Sequence, residues 1–525
     1  MFKIYIDGKE LQAEPGQTIL QVALKAGIEI PHFCWHPALS ISGNCRMCLV
    51  EIEKMPKLQT ACSTPVSDGM VVYTNSEKVI KARRGVLEFL LTEHPLDCPI
   101  CDQAGECRLQ DYYMLYGKYE SRFAEKKLKK RKVVDLGANI ILDTERCILC
   151  TRCIRFFREI TKTDELGIFN RGDHSEIDTY PGKKLESIYS GNIVDICPVG
   201  ALTNKDFRFK CRVWFLDKTP SICPLCSRGC NIEIHHRAGK VYRIKPRTNL
   251  YVNQYWICDE GRYGYKFINA EDRVLKPMIK GSSGYVSVEW EVAAIDVFVN
   301  INSIVAKYGP DSVGIVASPH LTNEDGYCLM KFAKEVIKTD NIGFLPSIKG
   351  DHDEFLIRPE KAPNEKGLLD MGWRSWDDGG KILFEKIEKG RIKALYVTGG
   401  EYFLSIVSES ANLLRKLEYS VFHMSNKKDG LDTINVILPS ATYAEKDGTF
   451  TNFQGRIQRI NRAFDPIGES LPDWRIIKRL ATIFGKEFPY EKAEDIFKEI
   501  SNRVAAYKGI DYMTIGDEGV LSHVS

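Results

Sequence analysis

The chain has 525 residues, 44% of them hydrophobic, and its 73 lysines and arginines against 70 acidic residues leave a formal net charge of +3. A chain of this length should hold about three to four domains, and so small a charge excludes a nucleic-acid binder driven by bulk positive potential. No apolar run approaches the roughly 18 residues of a membrane-spanning helix.

The first residues, Met1-Phe2-Lys3-Ile4-Tyr5-Ile6-Asp7-Gly8, alternate like a strand and lack the apolar centre of a signal peptide. A cytosolic setting is therefore expected, where thiols stay reduced. The 17 cysteines read as metal ligands before disulfides.

Residues 1–75 open with strand, Asp7-Gly8 turn and strand, and a helix is predicted over 18–26 after a break at Gly16. A loop from Pro31 to Leu49 carries Cys34, Cys45 and Cys48, and Cys62 follows. Two ligands close together and two distant ones suit a [2Fe–2S] rhomb held by loops, although ten residues follow Cys34 where the plant-type pattern has four. Gly43 would let backbone N–H groups approach the cluster sulfides. A zinc ribbon is the alternative, and the wide first gap argues against it. The segment resembles the β-grasp ferredoxin domain of the large iron–sulfur subunit of respiratory complex I and of related hydrogenases.

Residues 76–145 begin with a helix pattern over 79–92 and continue with His94, Cys98, Cys101 and Cys107. A lone histidine is usually a core or surface residue, but this one precedes a cysteine triplet that lacks a fourth ligand. An imidazole in place of a thiolate removes one negative charge and makes the cluster easier to reduce. The arrangement is similar to the His-Cys [4Fe–4S] domain of complex I, NAD-linked formate dehydrogenases and [FeFe] hydrogenases. A basic run, Lys126-Lys127-Leu128-Lys129-Lys130-Arg131-Lys132, reads as a solvated connector, with contact to an acidic partner protein as the alternative.

Residues 146–211 carry Cys147, Cys150 and Cys153, half of a bacterial ferredoxin repeat, with Phe157 where a two-cluster protein would have its next cysteine. Cys197, in Cys197-Pro198-Val199-Gly200-Ala201-Leu202, supplies the fourth thiolate. This reads as a duplicated ferredoxin fold that keeps one [4Fe–4S] cluster, again similar to the large iron–sulfur subunit of complex I.

Residues 212–270 hold Cys223, Cys226, Cys230 and Cys258. Zinc could occupy four thiolates at this spacing. The set, with Asp259-Glu260-Gly261-Arg262-Tyr263-Gly264 and Arg273-Val274-Leu275-Lys276-Pro277, resembles the [4Fe–4S] site that opens the molybdopterin oxidoreductase fold. Residues 271–525 read as α/β, with helices over 290–308 and 324–337 and strands over 313–317, 394–398 and 436–439. The segment from Ser440 to Gln458 resembles a late segment of molybdopterin-dependent enzymes. Cys328 lies within an amphipathic helix pattern, where a small buried hydrophobe is the expected role. Gly379-Gly380 and Gly399-Gly400 read as turns, and no dinucleotide fingerprint is present. The half is expected to be a truncated, non-catalytic relative that binds no molybdopterin.

The fold expected is multidomain α+β and α/β: β-grasp [2Fe–2S] ferredoxin, helical His-Cys [4Fe–4S] domain, ferredoxin-like [4Fe–4S] domain, and a degenerate molybdopterin-oxidoreductase α/β domain. The resemblance spans nearly the whole chain and implies an electron-relay subunit of NADH–quinone oxidoreductase carrying one [2Fe–2S] and three [4Fe–4S] clusters. It implies FMN and NADH on a partner flavoprotein subunit, a second [2Fe–2S] subunit, downstream [4Fe–4S] and quinone-site subunits, and a peripheral place on the cytoplasmic side of the inner membrane. The fourth cluster is expected to lie off the main electron path. No catalytic acid, base or nucleophile is expected. The alternatives are the same relay in a soluble NAD-linked formate dehydrogenase or hydrogenase complex, and a zinc-stapled scaffold.

Overall fold

The computed structural model describes residues 1–406, 410–429 and 431–523, with the side chains of 377–381, 410 and 411 outside that description. Residue contacts divide the chain into two compact units, Met1–Leu216 and Asp217–Ser525.

The first unit starts with strands Phe2–Ile6 and Lys9–Ala13, paired antiparallel from Phe2 opposite Ala13 to Ile6 opposite Lys9. Asp7 and Gly8 both take positive φ, 49° and 80°, the conformation a two-residue hairpin turn needs. Strands Met70–Tyr73, Leu49–Ile52 and Gln59–Thr60 complete a five-stranded sheet, in which Phe2–Ile6 lies parallel to Met70–Tyr73. Helix Ile19–Lys25 covers it. Thr18 caps that helix, its hydroxyl accepting from the Gln21 N–H while the Gln21 side chain returns to the Thr18 N–H. Ile4, Ile6, Leu20, Val50 and Val72 are buried between sheet and helix.

Helix Glu77–Glu93, started by Ser76, stops at His94, whose extended backbone turns the chain away. Helix Arg108–Tyr116 begins at Cys107. Downstream, strand Leu202–Asn204 pairs antiparallel with Ile140–Leu142. This pairing brings the chain just after Cys197 beside the chain just before Cys147, which closes a gap of about fifty residues in sequence.

The second unit opens with an antiparallel sheet of Asp217–Ile222, Asn231–Arg237 and Lys240–Pro246. A seven-stranded sheet follows. Its strands Val436–Pro439, Tyr419–Met424, Ala394–Val397, Val313–Ala317 and Ile342–Phe344 run parallel, and the hairpin Met278–Gly281 with Gly284–Ser287 is added antiparallel at one edge. Both faces are covered, as a parallel sheet requires. Ala394 and Tyr396 join one core with helix Trp290–Tyr308, while Leu395 and Val397 join another with Leu383 and Phe403.

The segment that begins at Ser440 spends its charges internally. Glu445 pairs with Arg273 at 2.7 Å, both essentially unexposed. The Lys446 ammonium lies 2.7 Å from Asp325 and 2.8 Å from Asp473, again buried. Asp473 continues to His423 at 2.9 Å, and His423 to the Tyr396 hydroxyl at 2.5 Å. Glu324 accepts from the Thr449 N–H and from the Tyr512 hydroxyl in the same region.

One sequence expectation needs correction and two gain detail. Gly379-Gly380 lies inside helix Asp377–Glu388 and not in a turn. The helix expected over 324–337 is present: a regular helix, Asn323–Lys331, continues as a π-helical stretch over Phe332–Ile337. The basic run is a connector, but only partly solvated: Lys126, Lys129, Arg131 and Lys132 are exposed, while Lys127 and Lys130 are half-buried. Lys127 donates to the carbonyls of Leu91 and His94 at 2.6 Å each, Lys130 to Ser175, and Lys132 pairs with Glu145 at 2.7 Å. Part of the acidic complement to this run is supplied by the chain itself.

Candidate iron–sulfur sites

In the first set, Cys34, Cys48 and Cys62 are buried and Cys45 is half-buried. The Cys34 N–H lies 3.5 Å from the Cys45 sulfur. Hydrogen bonds from Cys45 and then Cys62 hold the Cys34 thiol far down, to about 2, while the same contacts push Cys45 and Cys62 up. Cys48 is held below its ordinary value by Cys62. The four sulfurs thus form one connected group on loops beside the sheet. Gly43 has φ of 63°, so the turn just before Cys45 does need glycine.

The second set is the most open. His94 is the residue that ends helix Glu77–Glu93, Cys98 opens the short 3₁₀ turn Cys98–Ile100 and Cys101 closes it, and Cys107 precedes the next helix. His94, Cys98 and Cys107 line a groove of about 880 Å³, and Cys98 is exposed. Burial pushes His94 down to about 4, so its imidazole is neutral. Its Nδ1 is buried with no hydrogen-bond partner. A neutral ring with an orphaned nitrogen suits a metal ligand. Burial raises Cys101, and pushes Cys107 up to about 11 despite backbone N–H groups of Gln110 and Leu109.

Cys147, Cys150, Cys153 and Cys197 all line one cavity with Leu142, Arg152 and Leu202. Leu149 and Thr151 take φ of 50° and 64°, the left-handed region, which for non-glycine residues costs about 1–3 kcal/mol each. The strained loop wraps the first three cysteines around the cavity and aims the Leu149 N–H at the Cys147 sulfur, 3.4 Å away. Burial pushes Cys147 up to about 12 and Cys150 to about 11, and raises Cys153 and Cys197. Thiols this dry do not ionise readily on their own, and a bound metal cluster would supply the positive charge that stabilises the thiolates.

The fourth set lies at the tip of the opening sheet of the second unit. Cys223 and Cys230 flank adjacent strands, and the Cys223 N–H donates to the Cys230 carbonyl at 2.8 Å. Cys258 caps helix Asp259–Tyr263, its sulfur accepting from the Gly261 N–H at 3.3 Å. All four cysteines are buried. A Cβ on Gly261 would stand 3.2 Å from the Cys223 sulfur. Burial pushes Cys258 up to about 12.

Among the described residues no group of three or more His, Cys, Asp or Glu side chains is arranged to hold a single metal ion. Cys328, outside the four sets, is fully buried in the apolar core beside Leu329 and Phe332.

Contacts between the sets, which spacing could not reveal, tie the third set to both of the others. The Arg155 guanidinium donates to the carbonyls of Ser40 and Cys34 and, at 3.4 Å, to that of Cys150. The Asn44 amide reaches the Leu149 carbonyl at 3.0 Å. On the other side, the Arg108 N–H, next to Cys107, donates to the carbonyl of Pro198, next to Cys197, at 3.0 Å. Gly200 packs so tightly on Cys101 that a Cβ would stand 2.4 Å from its sulfur. Arg146, which precedes Cys147, pairs with Asp97, which precedes Cys98, at 2.8 Å.

The chain matches five family descriptions: 2Fe-2S iron-sulfur cluster binding domain (1–77), NADH-ubiquinone oxidoreductase-G iron-sulfur binding region (83–122), NADH-quinone oxidoreductase subunit 3, ferredoxin-like domain (137–203), molybdopterin oxidoreductase Fe4S4 domain (216–270), and molybdopterin oxidoreductase (375–483). Domains for binding 2Fe–2S and 4Fe–4S clusters are therefore present. The chain is 44% identical to the NADH-quinone oxidoreductase G subunit of Rickettsia bellii over 64% of this chain, and 46% identical to that of Rickettsia conorii over 58%. These stretches span 48% and 45% of the two Rickettsia proteins, about half of each. An NAD+-reducing [NiFe]-hydrogenase solved in the H2-reduced state matches 40% of this chain and 91% of its own at 32% identity, with a TM-score of 0.35. The chain is also 32% identical to the NADH-ubiquinone oxidoreductase 75 kDa subunit of Reclinomonas americana, over 94% of this chain and 90% of that protein. With nearly the full length of both chains aligned, this chain belongs to the family of the NADH-ubiquinone oxidoreductase 75 kDa subunit.

Proposed function

We propose that the chain is the electron-relay subunit of an NADH–quinone oxidoreductase, taking electrons from a partner flavoprotein that carries FMN and oxidises NADH, and passing them towards quinone. The observation that carries this reading is the row made by the first three sets, joined by Arg155 on one side of the third set and by Gly200 and Arg108 on the other. On this reading the order is first, third, second, and electrons would enter or leave through the two outer sets. The open groove at His94, Cys98 and Cys107 suits an exchange point with another subunit.

On this reading Cys34, Cys45, Cys48 and Cys62 hold a [2Fe–2S] cluster. His94, Cys98, Cys101 and Cys107, then Cys147, Cys150, Cys153 and Cys197, then Cys223, Cys226, Cys230 and Cys258 each hold a [4Fe–4S] cluster. The clusters, when bound, supply reversible one-electron chemistry. The chain's residues fix their spacing, exclude water and place donors and charges around the sulfurs.

The segments 1–75, 76–145, 146–211, 212–270 and 271–525 would be a β-grasp ferredoxin, a His-Cys domain, a ferredoxin-like domain, an Fe4S4 domain and a non-catalytic molybdopterin-type domain. The five-stranded sheet with its covering helix supports the first assignment, and the doubly covered parallel sheet the last. No molybdenum chemistry is assigned to the last, because Cys328 is sealed in the core and Glu445 and Lys446 are tied up in internal pairs. The second [2Fe–2S] subunit, the downstream [4Fe–4S] and quinone-site subunits, and the cytoplasmic face of the inner membrane complete the proposed setting. No helix among the described residues is long and apolar enough to cross a membrane, so attachment would run through those partners.

The test is to isolate the intact assembly anaerobically from its host, identify the partners by mass spectrometry and add NADH. Reduction of this chain's clusters by NADH, with transfer on to quinone, is expected. Reduction only by formate or hydrogen, with no quinone-site partner, would assign the relay to a soluble dehydrogenase or hydrogenase instead.

A further inference from the structure

Arg152 lies between Cys150 and Cys153 and is 8% exposed. Its Nη1 donates to the carbonyl of Ile196 at 3.0 Å, one residue before Cys197. Its Nη2 donates to the carbonyl of Trp35 at 2.5 Å, one residue after Cys34. Its Nε is buried with no hydrogen-bond partner, and Arg152 is one of the residues lining the cavity framed by Cys147, Cys150, Cys153 and Cys197. A buried cationic N–H left without an acceptor costs about 1–3 kcal/mol or more, so the geometry calls for an acceptor that belongs in the cavity.

We propose that the Arg152 Nε–H donates a hydrogen bond to a sulfur of the [4Fe–4S] cluster held by the third set, and so sets that cluster's potential, while Nη2 holds the first set's loop at Trp35 and Nη1 holds the segment before Cys197. The inference rests on the reading that these four cysteines bind a cluster. Reduction makes the cluster sulfurs more negative, so a cationic donor favours the reduced state and raises the potential. The planar fork of arginine makes all three contacts at once, which a lysine cannot. Arg152 is a positioning residue: it holds the cluster's surroundings and exchanges no electron itself.

The test uses the full chain, loaded with iron anaerobically, in redox titrations followed by EPR. Arg152→Met and Arg152→Lys are expected to lower the reduced-to-oxidised ratio of the third cluster about tenfold at a fixed potential, a negative shift of about 59 mV for one electron. Arg155→Lys disturbs the same seam but removes no donor aimed at the cavity, and should move that midpoint far less. A third-cluster signal with an unchanged midpoint in Arg152→Lys overturns the proposal. If Arg152→Met loses the cluster, the wild-type chain carries the test. Arginine labelled with ¹⁵N only in its side chain should give a weak ¹⁵N coupling on the third-cluster signal that Arg152→Lys abolishes, and no such coupling in the wild type overturns the proposal. Absence of the third cluster from iron-loaded wild-type chain would instead refute the ligand assignment, a failure that iron analysis separates from the others.

Discussion

A single methyl group at Gly200 tests whether the second and third sets are packed as one device. In Gly200→Ala the new carbon would stand 2.4 Å from the Cys101 sulfur and 3.1 Å from the Gln103 Cβ. Non-bonded heavy atoms settle at about 3.5–4 Å, so either the sulfur or the Val199-Gly200 backbone must retreat by about 1 Å. Overpacking of this kind costs about 1–3 kcal/mol. The displacement matters more than the energy, because a ligand set tolerates only about 0.5 Å of misplacement. Cys101 should yield first, since its set opens onto a groove whereas the third set is enclosed. The assay is iron content with EPR of the anaerobically reduced chain. The variant should lose the second [4Fe–4S] signal and about four iron atoms, and should retain the third signal. Full iron content with an unshifted second signal would refute the packing argument.

Replacing His94 with cysteine restores a fourth thiolate and adds one negative charge, so the second cluster should persist at a lower potential; a redox titration with no shift would contradict its role as ligand. Lys446→Met leaves Asp325 and Asp473 buried without their shared cation, and denaturant melts should show a loss of about 3–5 kcal/mol. Burial raises Glu324 from 4.5 to about 7 in the folded chain. Between those values the native state holds a proton that the unfolded chain has released, so this group makes stability fall as pH rises through the window, by on the order of 3 kcal/mol in all. Urea melts at pH 5 and pH 8 should show that fall in the wild type and not in Glu324→Gln; parallel pH dependence in the two chains would refute it.

The local parts of this molecule were legible in its sequence because local rules produce them. The pattern over 79–92 became helix Glu77–Glu93, and that over 290–308 became Trp290–Tyr308 to the residue. The Asp7-Gly8 turn has the backbone its residues favour. Cysteines two or three residues apart converge because a short loop allows little else, and distant Cys197 could be joined to Cys147 only by analogy until the strand pairing of Leu202 with Leu142 supplied the cause. The order of the sets could not be read. It depends on Arg155 reaching Cys34 and on Gly200 meeting Cys101, contacts across about a hundred residues that leave no periodic signal. Arg146, Arg152 and Arg155 carry no signal in the sequence beyond a cation close to each of several ligands. In the basic run the sequence could not show which charges stay in solvent and which, like Lys127 and Lys132, are answered by a carbonyl or carboxylate elsewhere in the chain. Gly379-Gly380 misled because two glycines are tolerated at the start of a helix whose later residues pack, with Leu383 and Ile387 fully buried.

What the sixteen candidate ligands bind separates an electron relay from a scaffold. Full-length chain prepared anaerobically and analysed for iron, acid-labile sulfide and zinc should contain about 14 iron atoms per chain, with a matching amount of sulfide and little zinc. Near-stoichiometric zinc with little iron would contradict the relay and leave a zinc-stapled scaffold in its place.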